Sequence, residues 1–307
     1  MKAAVIAGAD GFIGRHLTRR LRDAGTEIWA VVFPGSPTKD MYLGCEGIHT
    51  VCTEYSRLNE LKDEFPKDPD VFYDFVWQGV NALLRDDLEL QMTNIGLTLD
   101  CMRFARDIGA AKFVLPGSTS EYLKCGAPIN SLALPTPQNA YGSVKVALRY
   151  LASALAEQLG LGLIYAVITG IYAADRRDNN VIFYTAEKLL RGEKPSLTRL
   201  EQLWDYVYID DVAEALYLIG EKGRAGSFYA IGRGDNRPLR EYIEEIRDII
   251  DPSLPLGIGE VPYKGEGLPG SCIDLTDLRR DTGFEPRVSF SEGIRRVIAA
   301  MKQEADI

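Results

Sequence analysis

Histidine is almost missing from this chain. Its 307 residues include two, His16 and His49, and neither stands at a metal-ligand spacing, which argues against a zinc site. Cysteine is sparse as well. Cys45, Cys52, Cys101, Cys125 and Cys272 are odd in number and form no C-x-x-C pair, so they read as reduced thiols of a cytoplasmic protein. Positive charge is in deficit: 35 Lys and Arg face 44 Asp and Glu, a formal net charge of -9. That balance disfavours a nucleic-acid partner, whose phosphates demand a basic face. No run approaches the roughly 20 apolar residues that cross a bilayer, so no membrane partner is expected. Met1-Lys2, a short apolar run, then Gly and Asp read as a first strand and not as a signal peptide. Internal repeats and low-complexity segments are absent too. What remains, at 46% hydrophobic, is the composition of a soluble globular protein of one large or two intimate domains.

The first thirty residues carry a phosphate-binding pattern. Lys2 to Ala7 is a short apolar run, followed by Gly8-Ala9-Asp10-Gly11-Phe12-Ile13-Gly14 with glycines at i, i+3 and i+6. Ile13, Leu17 and Leu21 mark a helix that Gly25 ends, and Glu27 to Phe33 is a second strand. This is one βαβ unit. Gly8 permits the tight turn, Gly11 admits a pyrophosphate against the backbone, and Gly14 lets helix and strand pack closely. Asp10, Phe12 and Ile13 belong to the same cofactor loop. A carboxylate at the end of the second strand normally grips the ribose of NAD. Here the strand ends Val31-Val32-Phe33-Pro34-Gly35-Ser36, with no acid until Asp40. Ser36 and Lys39 stand where a 2′-phosphate would be received, so the cofactor is NADP or NAD with a lean toward NADP.

Strands then alternate with helices. Ile48 to Thr53 reads as a strand, with Glu54-Tyr55 at the end where adenine would lie. Val71 to Val76 leads into Trp77-Gln78-Gly79, a helix from about Asp87 to Ile108 carries Asn94, and Phe113-Val114-Leu115 runs into Pro116-Gly117-Ser118-Thr119-Ser120. The alternation predicts an α/β fold, a doubly wound parallel sheet of Rossmann type whose ligands bind at the strand C-termini. Gly8, Trp77, Ser118 and the segment around Tyr141 therefore converge on one crevice.

That segment is Asn139-Ala140-Tyr141-Gly142-Ser143-Val144-Lys145. Val144, Leu148, Leu151, Leu155 and Leu159 recur at helical spacing, which places Tyr141 and Lys145 on one face, a turn apart. A phenol beside an ammonium is expected to have its pKa lowered, making Tyr141 an acid/base for an alcohol or ketone. Further on, Leu163 to Thr169 is a strand, and Asp175 to Asn180 is a polar loop before a helix from Val181. Tyr206 to Ile209 and a helix from Asp211 are expected to return to the sheet. The Pro- and Gly-rich tail after Asn236 reads as a smaller lobe closing over the crevice. The division is 1–172 with 205–235 for the dinucleotide-binding domain, and 173–204 with 236–307 for the substrate lobe.

Gly8-x-x-Gly11-x-x-Gly14, Ser118 and Tyr141-x-x-x-Lys145, in that order, resemble an extended short-chain dehydrogenase/reductase of the NAD-dependent epimerase/dehydratase family. Asn94 falls where the family's active-site asparagine sits. Asp205-Tyr206-Val207-Tyr208-Ile209-Asp210-Asp211-Val212 resembles its R-D-[FY]-[IV]-x-V-x-D motif, and Phe228-Tyr229-Ala230-Ile231-Gly232 its Y-N-[IV]-G turn. The resemblance implies a nucleotide-sugar substrate and a homodimer. It implies that Tyr141 transfers the proton of a sugar hydroxyl, that Ser118 bonds the same oxygen, and that Lys145 holds the nicotinamide ribose and depresses the Tyr141 pKa. Thr119 and Ser120 would face the sugar. Asn180-Val181-Ile182 resembles a segment whose asparagine contacts the substrate diphosphate, although Asn180 reads equally well as an N-cap. Lys264 would replace a family arginine as a phosphate contact.

The departures narrow the reaction. Trp204 stands where the family has an arginine, and Gly170 ends a segment, Val167-Ile168-Thr169-Gly170, that usually holds a sugar-facing asparagine. Family dehydratases carry T-D-E where this chain has Ser118-Thr119-Ser120, so dehydration lacks its carboxylic acid. Glu121 would supply one only if the strand end shifted by a residue, which turns each side chain to the opposite face. The Gly117–Tyr122 turn and the Gln202–Tyr206 variant resemble the branch holding CDP-deoxyhexose ketoreductases. Reduction of a 4-keto sugar nucleotide is the expected reaction, with 4-epimerisation the alternative. A catalytically silent NAD(P)-binding sensor is the reading from another class.

Overall fold

A computed structural model describes residues 1–81, 83–176, 180–263 and 272–304. Its centre is one seven-stranded sheet in the order β11-β6-β5-β4-β1-β2-β3, parallel throughout. The strands are β1 (Ala3–Ala7), β2 (Glu27–Val32), β3 (Ile48–Cys52), β4 (Val71–Asp74), β5 (Lys112–Ser118), β6 (Gly162–Ile168) and β11 (Phe228–Ile231). Their apolar residues run nearly without alternation because helices cover both faces. Ala4, Val5, Ile6 and Ala7 are all fully enclosed.

Four helices form the covering layers: α1 (Phe12–Asp23), α2 (Leu88–Asp107), α3 (Ala140–Leu159) and α5 (Ile209–Lys222). From β1 the chain steps outward to β2 and β3, and from β4 it steps the other way to β5 and β6. Right-handed crossovers then put α1 on one face and α2 and α3 on the other. Accordingly α1 packs on α5, and α2 on α3. The order reverses between β1 and β4, and a crevice opens at their C-terminal ends. Local chemistry fixes both ends of α3. Asn139 accepts from the Gly142 N–H at 2.8 Å at its start, and Gly160 ends it in the left-handed region at φ 63°.

The remaining elements lie outside the main sheet. They are β7 (Gly170–Tyr172), α4 (Val181–Leu190), β8 (Ser196–Leu197), β9 (Leu203–Trp204), β10 (Tyr206–Tyr208), β12 (Arg237–Pro238), α6 (Leu239–Ile250), β13 (Gly257–Ile258), α7 (Thr276–Thr282) and α8 (Phe290–Glu304), with α7 packed on α5 and β11. One expectation fails here. Tyr206 to Tyr208 does not return to the main sheet but pairs with β7 in a sheet of its own, and the seventh strand is Phe228–Ile231, read from sequence as a turn. The reason is packing. Tyr206 and Tyr172 point into an aromatic cluster with Tyr242 and Phe290, which draws β7 and β10 toward α6 and α8. Among the described residues no helix is long and apolar enough to cross a membrane.

Candidate active site

The loop between β1 and α1 is built around backbone. Gly8 sits at φ 75°, and a Cβ there would press on the Phe75 carbonyl carbon and oxygen at 3.1 Å, so β1 and β4 approach as only glycine allows. A Cβ on Gly14 would collide with the Gly8 carbonyl oxygen. Gly11 caps α1 with no side-chain hydrogen bond, and the first turn holds no acid. The helix therefore offers free N–H groups and its positive end to an anion. These features fit the pyrophosphate of a dinucleotide. Phe12 lies under Arg176, whose guanidinium is 4.1 Å from the ring centroid, and the neighbouring Asp175 accepts from Arg15 at 3.1 Å and meets His16 at 3.1 Å. Sequence reasoning passed over this clasp between the polar loop and α1, because nothing in a run of charges names its partner. Ile13 is half-buried in α1.

At the adenosine end, Phe33 and Tyr55 lie nearly parallel, with ring centroids 6.4 Å apart. The Glu54 side chain is exposed, and its carbonyl accepts from Arg57. Ser36 is occupied locally, its hydroxyl 3.1 Å from that of Thr38 and accepting the Thr38 N–H. Lys39 is half-buried on the same loop. Asp10, almost enclosed at 8 % exposure, accepts from the Thr38 hydroxyl at 3.1 Å.

On the other side of the switch point the expected residues meet. A Cβ on Gly142 would overlap the Ser120 carbonyl oxygen, so the turn after β5 rests directly on the first turn of α3. This contact brings the Ser118 hydroxyl close enough to the Tyr141 phenol to lower its pKa. Trp77 stands edge-on to Tyr141 at 5.6 Å, donates to Gln91 at 2.9 Å, and carries the Lys145 ammonium 3.6 Å above its ring. The Arg85 guanidinium lies over the Tyr141 ring at 5.2 Å, and its carbonyl takes the Tyr141 N–H. Arg85 was not anticipated; its loop has no motif.

The electrostatics correct one expectation. The Tyr141 phenol is pushed up, not down. Burial is the largest cause, Ser118 and Arg85 pull it back, and the Glu121 charge adds to the rise. Lys145 turns its ammonium to the Pro116 carbonyl at 2.9 Å. Burial lowers the Lys145 pKa, while the charges of Glu121 and Asp74 resist that fall. Glu121 itself is pushed up by burial and held down by the Ser118 N–H, Tyr165 and Lys145. Its carboxylate accepts from the Ser118 N–H at 2.7 Å and the Tyr165 hydroxyl at 2.8 Å, inside the protein with no exposure. The register at the strand end is therefore unshifted, and Glu121 braces Ser118 from behind. Thr119 and Ser120 are each 7 % exposed.

Two expected residues carry structural hydrogen bonds. Asn94 lies on α2. It is fully enclosed, takes the Gln78 N–H at 2.7 Å, and donates to the Gln78 and Gln91 carbonyls at 3.1 Å each, which pins the loop after β4. Asn180 is an N-cap, its side chain accepting from Ile182 at 3.0 Å and Phe183 at 3.2 Å. It also lines a cavity of about 940 Å³ with Phe183, Tyr184, Gln202, Trp204 and Tyr206. Lys264 lies outside the described residues. The departures at Trp204 and Gly170 are one change: a Cβ on Gly170 would meet the Trp204 Nε1 at 2.8 Å and the Tyr206 ring at 2.9 Å. The indole occupies the space a side chain at 170 would need.

A model of the NAD dependent epimerase/dehydratase family matches residues 4–232, which takes in the glycine loop, Ser118, Tyr141 and Lys145. The chain belongs to that family. Among its relatives, the dTDP-glucose 4,6-dehydratase of Salmonella typhimurium is 25% identical over 185 residues, covering 55% of this chain and 51% of that protein. The chain thus spans about half the length of the dehydratases it matches. The GDP-6-deoxy-D-mannose reductase of Pseudomonas aeruginosa is 22% identical over 308 residues, 96% of this chain and 95% of the relative. A solved UDP-glucose 4-epimerase from Thermotoga maritima, with UDP-glucose, superposes with a TM-score of 0.80 at 22% identity over 99% of this chain and 100% of that one.

Proposed function

We propose that this family member is an NAD(P)-dependent oxidoreductase acting at C4 of a nucleotide-activated sugar, and that it reduces a 4-keto group. The observation that carries the reading is the Ser118–Tyr141 hydroxyl pair beside Lys145 at the switch point, with no carboxylate at Thr119 or Ser120. When bound, the nicotinamide supplies the hydride chemistry. Tyr141 delivers its proton to the sugar oxygen, and its raised pKa suits a donor that must hold that proton at neutral pH. Ser118 fixes the same oxygen. Lys145, held between the Trp77 face and the Pro116 carbonyl, keeps a positive charge where the nicotinamide ribose lies. The substrate lobe, 173–204 and 236–307, takes the nucleotide. Its cavity has the size and mixed lining of a small-molecule site. The reductase of Pseudomonas aeruginosa, aligned along nearly its whole length, supports reduction over dehydration.

Epimerisation at C4 is the second reading, favoured by the placement of Asp10 at the adenosine end, since epimerases retain NAD. The experiment supplies 4-keto-6-deoxy sugar nucleotides of several bases with NADH or NADPH, and separately supplies nucleotide hexoses with no reductant. Reduction of the keto sugars, abolished in Tyr141→Phe while cofactor binding stays nearly intact, is the expected result. Interconversion of hexoses without reductant selects the epimerase. Formation of a 4-keto-6-deoxy sugar from a nucleotide hexose, or full turnover by Tyr141→Phe, sinks the assignment.

A further inference from the structure

The second strand ends without an acid, yet a carboxylate reaches the same place from the glycine loop. Register pairs Ala7 of β1 with Val31 of β2, so Gly8-Ala9-Asp10 and Phe33-Pro34-Gly35 leave adjacent strand ends together. The adenosine ribose of a dinucleotide lies between those ends. Asp10 projects there. One carboxylate oxygen takes the Thr38 hydroxyl at 3.1 Å, which folds the loop after β2 back over it, and the other accepts from no described residue. Thr38 in turn engages Ser36, so this loop is tied down by its own hydroxyls and by Asp10. At the strand end stands Phe33, 45 % exposed and nearly parallel to Tyr55. It offers adenine an aromatic face and offers a phosphate nothing. The half-buried Lys39 is the cation of the loop, and no ion pair holds it among the described residues.

We infer that Asp10 selects the cofactor, accepting hydrogen bonds from the 2′- and 3′-hydroxyls of the adenosine ribose, and that the chain prefers NAD to NADP. The inference rests on the reading of the crevice as a nicotinamide dinucleotide site and reverses the lean drawn from Ser36 and Lys39. A carboxylate accepts from a vicinal diol and repels a 2′-phosphate that carries about two negative charges. In place of the usual acid at the end of β2, the acid here comes from within the glycine loop, one residue before Gly11.

The test is binding, not turnover. Dissociation constants for NADH and NADPH are measured by fluorescence titration on the purified chain, with Asp10→Asn, Asp10→Ser and Lys39→Ala. The wild type should bind NADH at least about tenfold more tightly than NADPH, the scale of one charge-assisted hydrogen bond lost. Asp10→Asn, which keeps the volume and removes the charge, should bring the two within about threefold, mostly by tightening NADPH. Lys39→Ala should leave the NADH constant unchanged. Equal or tighter binding of NADPH by the wild type overturns the inference, and so does an unchanged ratio in both Asp10 variants. If neither variant folds, the wild-type ratio alone decides. No sugar substrate enters the measurement, so absence of C4 reduction and failure of this selection are read separately.

Discussion

At the scale of single residues, burial decides ionisation around the crevice more than pairing does. The sequence placed Tyr141 and Lys145 a turn apart and led to a lowered phenol. The folded chain desolvates the phenol and turns the ammonium to Pro116, and the balance reverses. Asp74 makes the same point with a measurable consequence. It ends β4, is almost fully enclosed, and burial pushes its carboxyl up from 3.8 to about 6, against the Val76 N–H, Thr98 and Lys145. Between those values the folded chain binds more protons than the unfolded one, so stability falls as pH rises. The contribution is complete below 3.8 and is lost through about 6. Asp74→Asn should flatten this dependence. Measured by urea unfolding between about pH 4 and pH 7, the variant should lose less stability than the wild type, by on the order of 3 kcal/mol. Parallel curves for the two proteins would show that Asp74 is already ionised when folded. The bracing role of Glu121 was not legible in the sequence, because the direction its side chain takes depends on the phase of the turn after β5. That phase is set by Gly142 and Tyr165, far away in sequence.

Among the elements, those with a local cause could be read in advance and those with a tertiary cause could not. The helix from Ala140 was announced by its apolar period, while its Asn139 cap is seen only in the fold. The β1–α1 loop was announced by its glycines. In contrast, β8, β9, β12 and β13 are two residues each and have no pattern of their own. They exist because a neighbour is there to pair with, as Ser196 pairs with Gly257. The 3-10 segment Tyr55–Glu64 likewise has no counterpart in the sequence reading. The contact that matters most for chemistry is between elements: the turn after β5 lying on α3 at Gly142. Gly142→Ala puts a methyl into the Ser120 carbonyl oxygen and must lift one element from the other. The expected cost is about 1–3 kcal/mol of stability, with a larger fractional loss of turnover than of cofactor affinity, because Ser118 and Tyr141 separate while the glycine loop is untouched. Melting temperature and a cofactor titration on the same preparation check it, and unchanged turnover would mean that the turn and the helix move together.

For the whole molecule, two halves of the fold face different demands. The crevice is closed in by the clasp of Asp175 on α1, by the Phe33–Tyr55 pair and by the loop carrying Arg85. The outer layer of α2 and α3 is not closed in. These two helices pack side by side, and toward solvent they carry Leu88 at 51 %, Met92 at 49 %, Tyr150 at 62 % and Leu151 at 46 % exposure. Leu88 and Met92 are one turn apart and so share a face. Single exposed apolar side chains are ordinary, but two on each of two adjacent helices form the kind of surface that a protein covers. We propose that a second copy covers it, the two pairs of helices packing as a four-helix bundle in a closed dimer. Sedimentation velocity should give twice the 34.0 kDa chain mass at micromolar concentration. Met92→Lys with Leu151→Lys should return it to the single-chain mass while the cofactor constants hold, since neither residue touches the crevice. A wild type that sediments as a single chain would assign those side chains to no partner copy, and their exposure would then be expected to show as aggregation on concentration.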